Sequence, residues 1–331
     1  MTETRSLPAP TRRQTLLLGV GAAVWPHAGR AQSDWPSRSI RLVVPYAPGG
    51  SSDTLGRLIG RLLGDALKQT VVIENKAGAG GVIGSQGVAK AAADGYTLVV
   101  SGIGSHVIAP VEQPNAFDPM KDFTHIAMLA GPPLGLVVNV DTPFSDFKTF
   151  VSIAGADPKG VSWGSPGQGT HGHLTGELLR AAARLNMVHI SYKGAGPAVA
   201  DLLANQIPAA CMTLSSANAH VDAGKLRFLA VSSDKRLSRY PNVPTFAELG
   251  YPQLTGTTWF SLSGPPGLPI AIVERLNLET RRAMHSPAAQ QLLANESMET
   301  MDLDAPAFRR YVASEIARWT PAVLSLRAPP K

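Results

Sequence analysis

One succession recurs along this chain: an apolar strand, a short glycine-rich loop, then an amphipathic helix. Residues 40–67 set the pattern. "IRLVV" reads as a buried strand, "PYAPGG" breaks it, and "SSDTLGRLIGRLLGDAL" follows. In that last stretch Leu55, Leu58, Ile59, Leu62, Leu63, Ala66 and Leu67 recur at the three- and four-residue spacing that lines one face of an α-helix. The succession returns in "TVVIENK" with "AGAGGVIGSQGVAKAAADG", in "KGVSWGSPGQG" with "THGHLTGELLRAAARL", and in "MVHISYKGAG" with "PAVADLLANQ", where Pro197 takes the favoured first turn. Strands alternating with helices predict an α/β fold.

At 331 residues the chain exceeds what one small core needs, and two domains are expected. The strand–loop–helix units fall into two blocks. We expect residues 32–137 together with 258–331 to form domain 1, and residues 138–257 to form domain 2. The C-terminal helices have no sheet of their own to cover, so they should fold back on the first block. The outcome is two α/β lobes joined by two crossovers. "IGSHVIAPVEQPNAFDPMKDF" reads as irregular, "IPAACMTLSS" as strand, and "TTWFSLSGPPGLP" as the return crossing.

Residues 1–31 belong to a different class. Arg12 and Arg13 precede "LLLGVGAAVW", an apolar run of signal-peptide rather than membrane-spanning length. Gly29-Arg30-Ala31 then predicts cleavage after Ala31 and export. "TRRQTL" resembles a twin-arginine signal, with Thr15 where Phe is commoner; a Sec signal is the alternative. Removing this segment takes away four arginines and one glutamate, so the net charge falls from +6 to +3. With no polybasic stripe, nucleic-acid binding is not expected. The one cysteine, Cys211, excludes an intramolecular disulfide and reads as a buried strand residue.

The glycine loops carry the chemistry. A helix N-terminus points unpaired amides outward and holds the positive end of the helix dipole. Glycine in the preceding turn lets a ligand approach the backbone, so an anion can be held without Lys or Arg. "APGGSSD" (47–53), "SPGQGTHGH" (165–173) and "YKGAGP" (192–197) each fit. Other chemistries fit less well. Gly167, Gly169 and Gly172 satisfy the dinucleotide spacing, which makes an NAD(P)-dependent oxidoreductase the alternative, but the next strand ends without the acidic residue that a ribose needs. His171 and His173 fall roughly 200° apart at a helix start, with no carboxylate or cysteine to complete a metal set. We read His173 as packed at the helix start and His171 as solvated. Asp53 suits a first-turn, dipole-complementing role. No Ser/His/Asp arrangement is legible.

These stretches resemble the substrate-binding proteins of the tripartite tricarboxylate transporter system, the Bug or TctC family. The likeness rests on "RLVVPYAPGGSSDTLGR", "VVIENKAGAGGVIGSQGVAKAAADGYTLV", "FDPMKDFTHIAML", "WGSPGQGTHGHL", "SYKGAGPAVADLL", "NVPTFAELGYP" and "WFSLSGPPGLP", in order across nearly the whole mature chain. It implies a type II periplasmic-binding-protein-like fold that closes like a Venus flytrap on one small carboxylate, without catalysis, cofactor or metal. Carried over residue by residue, it points to Ala47, Gly50, Ser51, Ser52, Asp53 and Ser105 in one lobe. In the other it points to Ser165, Gly169, Thr170 and His173, with Tyr192, Lys193 and Gly194 along the same crevice. The implied partners are the large and small permease subunits, or a membrane sensor, and the implied state is a monomer. The chain departs from the family at Ala109, where Asn is usual, at Gly56, where Ala is usual, and at Asn205, where Gly is usual. Ala109 is expected near the cleft.

Overall fold

The computed structural model describes residues 35–327, and everything below belongs to the unit that begins at Pro36. The predicted signal segment and cleavage site lie outside the described residues.

The first sheet starts as the sequence pattern implies. β1 (Ile40–Val44) feeds α1 (Ser51–Leu67), which returns to β2 (Val71–Asn75); α2 (Val82–Ala89) then leads to β3 (Thr97–Gly102). β1 pairs in parallel with both β2 and β3. α1 buries Leu55, Ile59, Leu63 and Leu67, while Ala66 is exposed. A second stripe is glycine. Gly56, Gly60 and Gly64 recur every four residues, and a Cβ on Gly56 or Gly60 would stand 2.7 Å from a methyl of Val44 or Ile73. α1 therefore lies close on β1 and β2, which gives Gly56 a packing reason.

The segment read as irregular is helical: a π-helical turn over Gly104–Ile108 runs into α3 (Ala109–Glu112) before β4 (Thr124–Ala130). Its glycine, β-branched and proline residues hid the helix, which is held by burial of every residue from Ser101 to Pro110.

The second sheet is built the same way from β5 (Leu134–Asn139), α4 (Phe147–Ala156), β6 (Val161–Ser165), α5 (His171–Ala182), β7 (Met187–Ser191), α6 (Ala195–Leu203), β8 (Ala209–Thr213), α7 (Leu214–Asp222) and β9 (Leu226–Val231). β10 (Phe260–Gly264) goes back to the first sheet, and α8 (Ile270–Met284), α9 (Pro287–Asn295) and α10 (Ala305–Arg327) close the chain. The sheet orders are β2-β1-β3-β10-β4 and β7-β6-β8-β5-β9. In each, the fourth strand is the one that arrives from the other sheet, and it runs antiparallel to both neighbours.

Three expectations change here. The boundary expected between 137 and 138 falls inside β5, whose pairing is entirely with the second sheet. "TTWFSLSGPPGLP" is more than a crossing, because it contains the inner strand β10. "IPAACMTLSS" is strand only as far as Thr213, where α7 begins.

The two sheet-to-sheet passages run side by side. Pro133 bridges Thr257, and the Thr258 amide donates to the Pro132 carbonyl at 2.9 Å. Ser232 ties both passages: its hydroxyl donates to the Gly256 carbonyl (2.6 Å) and accepts the Leu134 amide (2.8 Å). α10 packs on the first-sheet side, where Phe308, Val312, Trp319 and Val323 share a core with Ile103, Val107 and Trp259.

Candidate functional site

Loops leaving the carboxyl ends of β1, β6, β7 and β8 line one cavity between the lobes, and four helices open into it. α1 contributes Gly50, Ser51 and Ser52; α5 contributes Thr170, His171 and Gly172; α6 contributes Ala195; α7 contributes Thr213 and Ser216. The local sequence explains the open helix ends. Gly50 precedes α1 with an extended backbone, and no side chain caps that helix; Gly194 before α6 and Thr213 before α7 also provide no side-chain cap. Only α5 is capped, by Thr170, whose hydroxyl accepts the His173 amide at 3.3 Å and donates to the Gly167 carbonyl at 2.6 Å. First-turn amides have no carbonyl of their own helix to bond, so they are donors for whatever the cavity holds. The positive ends of four helix dipoles add to them.

No lining residue carries a charged side chain. The two that titrate are held neutral. Burial, then Arg318, lowers the His171 pKa to about 3, and burial raises that of Tyr46 against the hydrogen bond with Ser105. Tyr46 donates to the Gly80 carbonyl at 3.0 Å, and His171 Nδ1 lies 2.9 Å from the Thr258 hydroxyl. Such a lining favours a small anion held by amides and hydroxyls.

Of the residues expected to form the site, Gly50, Ser51, Ser52 and Thr170 line the cavity, and the other nine do not. Asp53 is buried behind the first loop, and protein donors occupy its oxygens: Oδ2 accepts from the Gly49 amide and Arg57 Nε, and Oδ1 from Asn75 Nδ2. Burial raises its pKa, but the hydrogen bonds from Arg57, Asn75 and Gly49 outweigh this and hold the carboxyl below its usual value. Asp53 thus fixes the Gly49–Gly50 turn. Ser105 sits behind Tyr46, hydrogen-bonded to His106 Nδ1 at 2.9 Å. Ser165 Oγ is bonded to His189 Nε2 (2.8 Å) and accepts the Gly167 amide (3.2 Å), so it shapes the second loop from behind. Tyr192 donates to Asp201 at 2.6 Å.

Several expected residues instead join the lobes to each other. The Ala47 amide donates to the Lys193 carbonyl at 2.9 Å, with the Lys193 side chain exposed. A Cβ on Gly194 would stand 2.9 Å from the Ala47 nitrogen, and one on Gly169 would stand 3.1 Å from Ala109 Cα. The departure at Ala109 therefore bears on the contact between lobes; Ala109 is not in the lining. His173 Nδ1 lies 3.3 Å from the Gly169 amide and 3.4 Å from Glu112 Oε1 on the facing lobe. The Gly169 amide donates to this ring nitrogen. The reading of His171 as solvated is reversed: it is buried, wedged against Trp319 with ring centres 5.0 Å apart. The dinucleotide spacing has another use. A Cβ on Gly172 would stand 2.4 Å from the Cys211 carbonyl, so this glycine lets α5 sit close on β8.

The sequence reading missed the third wall. Ser51 Oγ meets Thr213 Oγ1 at 2.6 Å and the Ser215 hydroxyl, and Thr213 meets Ser216 at 2.8 Å. This hydroxyl cluster crosses from one lobe to the other. Its signal was "TLSS" directly after an apolar strand, the same strand-to-small-residue step as in the other loops.

Two α/β lobes, two adjacent crossovers and a cavity at the carboxyl ends of the strands define the class of two-lobed periplasmic binding proteins. Within it, the chain belongs to the tripartite tricarboxylate transporter receptor family, whose model matches residues 56–327. It is 35% identical to BugT of Bordetella pertussis over 316 residues, 94% of this chain and 96% of that protein. Among solved structures, it resembles a Rhodopseudomonas palustris protein with adipate (31% identity, TM-score 0.83, covering 90% of this chain and 100% of that one). It also resembles MatC from Rhodopseudomonas palustris with bound malate (30% identity, TM-score 0.83, covering 87% and 100%).

Proposed function

We propose that this chain is a periplasmic receptor that captures a small carboxylate between its lobes and presents it to a tripartite tricarboxylate-type permease. One observation carries the reading: four helix N-termini converge on a cavity lined by both lobes and free of charged side chains. We assign residues 36–132 with 258–327 to one lobe and 133–257 to the other, following sheet membership. The ligand meets the amides of one lobe first, and the second lobe closes on it, stabilised by contacts available only when both engage. Gly50, Ser51, Ser52, Thr170, Gly172, Ala195, Thr213 and Ser216 would contact it, with Asp53, Ser105, Ser165 and His173 fixing their loops. Ala47, Gly169, Lys193 and Gly194 form the seam that shuts, and Tyr192 backs it. The two relatives bound to adipate and malate support carboxylate as the class. The protein would act as a monomer exported after cleavage at Ala31, which N-terminal sequencing of the secreted form checks.

A thermal-shift screen against mono-, di- and tricarboxylates tests the function. A ligand at about 100 times its Kd adds roughly 2.7 kcal/mol, a rise of several degrees for a protein of this size. No shift with any carboxylate, and a shift with NAD or NADP, would overturn the reading.

A further inference from the structure

Resting on the receptor reading, we infer that Tyr46, Ser105 and His106 form a one-way hydrogen-bond relay that holds the Ala79–Gly81 turn against the facing lobe. His106, which lies outside the cavity, is then a positioning residue for ligand capture. The relay starts at the cavity wall. Tyr46 lines the cavity, and its hydroxyl donates to the Gly80 carbonyl at 3.0 Å. A carbonyl can only accept, so this bond uses the one proton that the phenol has. Ser105 is hydrogen-bonded to the same hydroxyl. Burial raises the Tyr46 pKa and the bond with Ser105 works against it, which is the effect of a donor on a phenol oxygen. The two side chains meet at one point: a Cβ on Gly81 would stand 2.8 Å from Ser105 Cβ and 3.0 Å from the Tyr46 oxygen. Ser105 therefore spends its own proton on Tyr46. Towards His106 Nδ1, 2.9 Å away, it can only accept, so Nδ1 carries the imidazole proton. Burial, then His125, keeps that ring neutral, and a neutral ring protonated at Nδ1 leaves Nε2 bare. Nε2 is the nitrogen that has no hydrogen-bond partner in the protein, in a ring set edge-on to Phe123 with centres 4.4 Å apart. A bare acceptor is tolerated there better than an orphaned N–H. The donor order and the unpartnered nitrogen thus point to one tautomer. His125 holds the opposite one, because its Nε2 lies 2.9 Å from the Pro119 carbonyl and must donate to it. What the relay holds is the edge of the cleft. Gly80 has a φ of 64°, and a Cβ on it would stand 2.3 Å from the Gln168 carbonyl of the facing lobe. A Cβ on Gly104 would stand 2.8 Å from the Tyr46 oxygen and 3.4 Å from Cα of Thr170, the cap of α5. The Tyr46 hydroxyl therefore sits where two turns of one lobe meet the loop that opens α5, and its position sets how closely the lobes shut.

Long-range proton–nitrogen correlation spectra of the isotope-labelled chain read which ring nitrogen is protonated, with the His106 signals identified by their loss in His106→Asn. The expected result is a proton on Nδ1 of His106 and on Nε2 of His125. A proton on Nε2 of His106 would overturn the relay, whatever the protein binds. Three variants then test what the relay does, each checked for fold by thermal melting. Tyr46→Phe removes only the hydroxyl, His106→Leu removes the ring donor, and His106→Asn returns an N–H close to the place of Nδ1. The first readout is hydrogen exchange of the Gly81 amide, which donates to the Gly78 carbonyl across the turn. Exchange should quicken about fivefold in Tyr46→Phe and His106→Leu, the weight of one buried hydrogen bond, and stay within about twofold of wild type in His106→Asn. Equal exchange in all four proteins would overturn the relay. The second readout is calorimetric titration with malate and with adipate. Affinity should fall about fivefold in the first two variants and recover in His106→Asn. Unchanged affinity in Tyr46→Phe would overturn the positioning role. If wild type binds neither acid, the carboxylate reading loses its support, while the tautomer and the exchange rates still decide the relay.

Discussion

At the scale of single residues, the contact between lobes rests on backbone that a single Cβ would obstruct. Gly196 lies in the first turn of α6, and a Cβ there would stand 2.3 Å from the Pro48 carbonyl of the facing loop. Its backbone is ordinary helix, so Gly196→Ala costs the isolated lobe nothing and obstructs closure alone. We expect an unchanged melting temperature for the ligand-free protein and at least a tenfold loss of affinity, about 1.4 kcal/mol. Titration of a bound acid beside a melting curve checks this, and unaltered affinity would mean that closure does not bring these loops together. Asp53 acts otherwise. Asp53→Ala leaves the Gly49 amide without its acceptor and takes one of two from Asn75 Nδ2, and should destabilise by roughly 1–3 kcal/mol in urea titration as well as weaken binding. A loss of binding with full stability would make Asp53 a ligand contact instead. Asn205 has a φ of 55°, in the left-handed region, which Asn tolerates better than most residues.

At the scale of elements, α1 shows how much of a helix can be read beforehand. The leucine face was legible because its period is local. The glycine stripe was present in the sequence too, but its meaning needs the position of β1 and β2. Gly60→Val should push α1 off Ile73 and cost about 1–3 kcal/mol by overpacking. Gly155 in α4 has nothing within 4 Å of a Cβ position, and Gly155→Ala should stabilise by about 0.5–1 kcal/mol. Chemical denaturation of the two variants side by side separates packing from helix propensity, and the same sign for both would show that propensity governs. α7 was missed because "TLSS" continues an apolar strand without a glycine or proline to mark the turn.

For the whole molecule, buried histidines set the response to pH. His106, His125 and His171 are all buried, and burial lowers each pKa, to about 4 for His125 and about 3 for His171. The positive neighbours Arg309 and Arg318 add to this for His125 and His171, and His125 adds to it for His106. The unfolded chain takes these protons near pH 6.5, before the native state does. The stability they confer is therefore present above pH 6.5 and lost as pH falls from there towards the folded values. Each group removes up to about 1.4 kcal/mol per pH unit in that window. The paired carboxylate of Asp53 has a lowered pKa, so its contribution persists at these pH values and disappears only in stronger acid. Urea midpoints should fall steadily from pH 6.5 to 4.5. A flat profile would show that the histidines are hydrated in the native state.

The sequence alone determined the α/β class, the division into two lobes, and helices beginning at Ser51 and next to Thr170; the helix read as starting at Pro197 begins two residues earlier, at Ala195. These depend on short-range rules: hydrophobic period and glycine before a helix. Tertiary structure decided which of those residues face the cavity. Gly50 and Gly169 look alike in the sequence, but one lines the cavity and the other meets Ala109 across the seam. It also decided that Ser51 meets Thr213, residues 162 positions apart, and that His171 is buried. Those outcomes depend on how two separately wound sheets are set against each other by the crossovers near Ser232, and no local pattern along the chain encodes that placement.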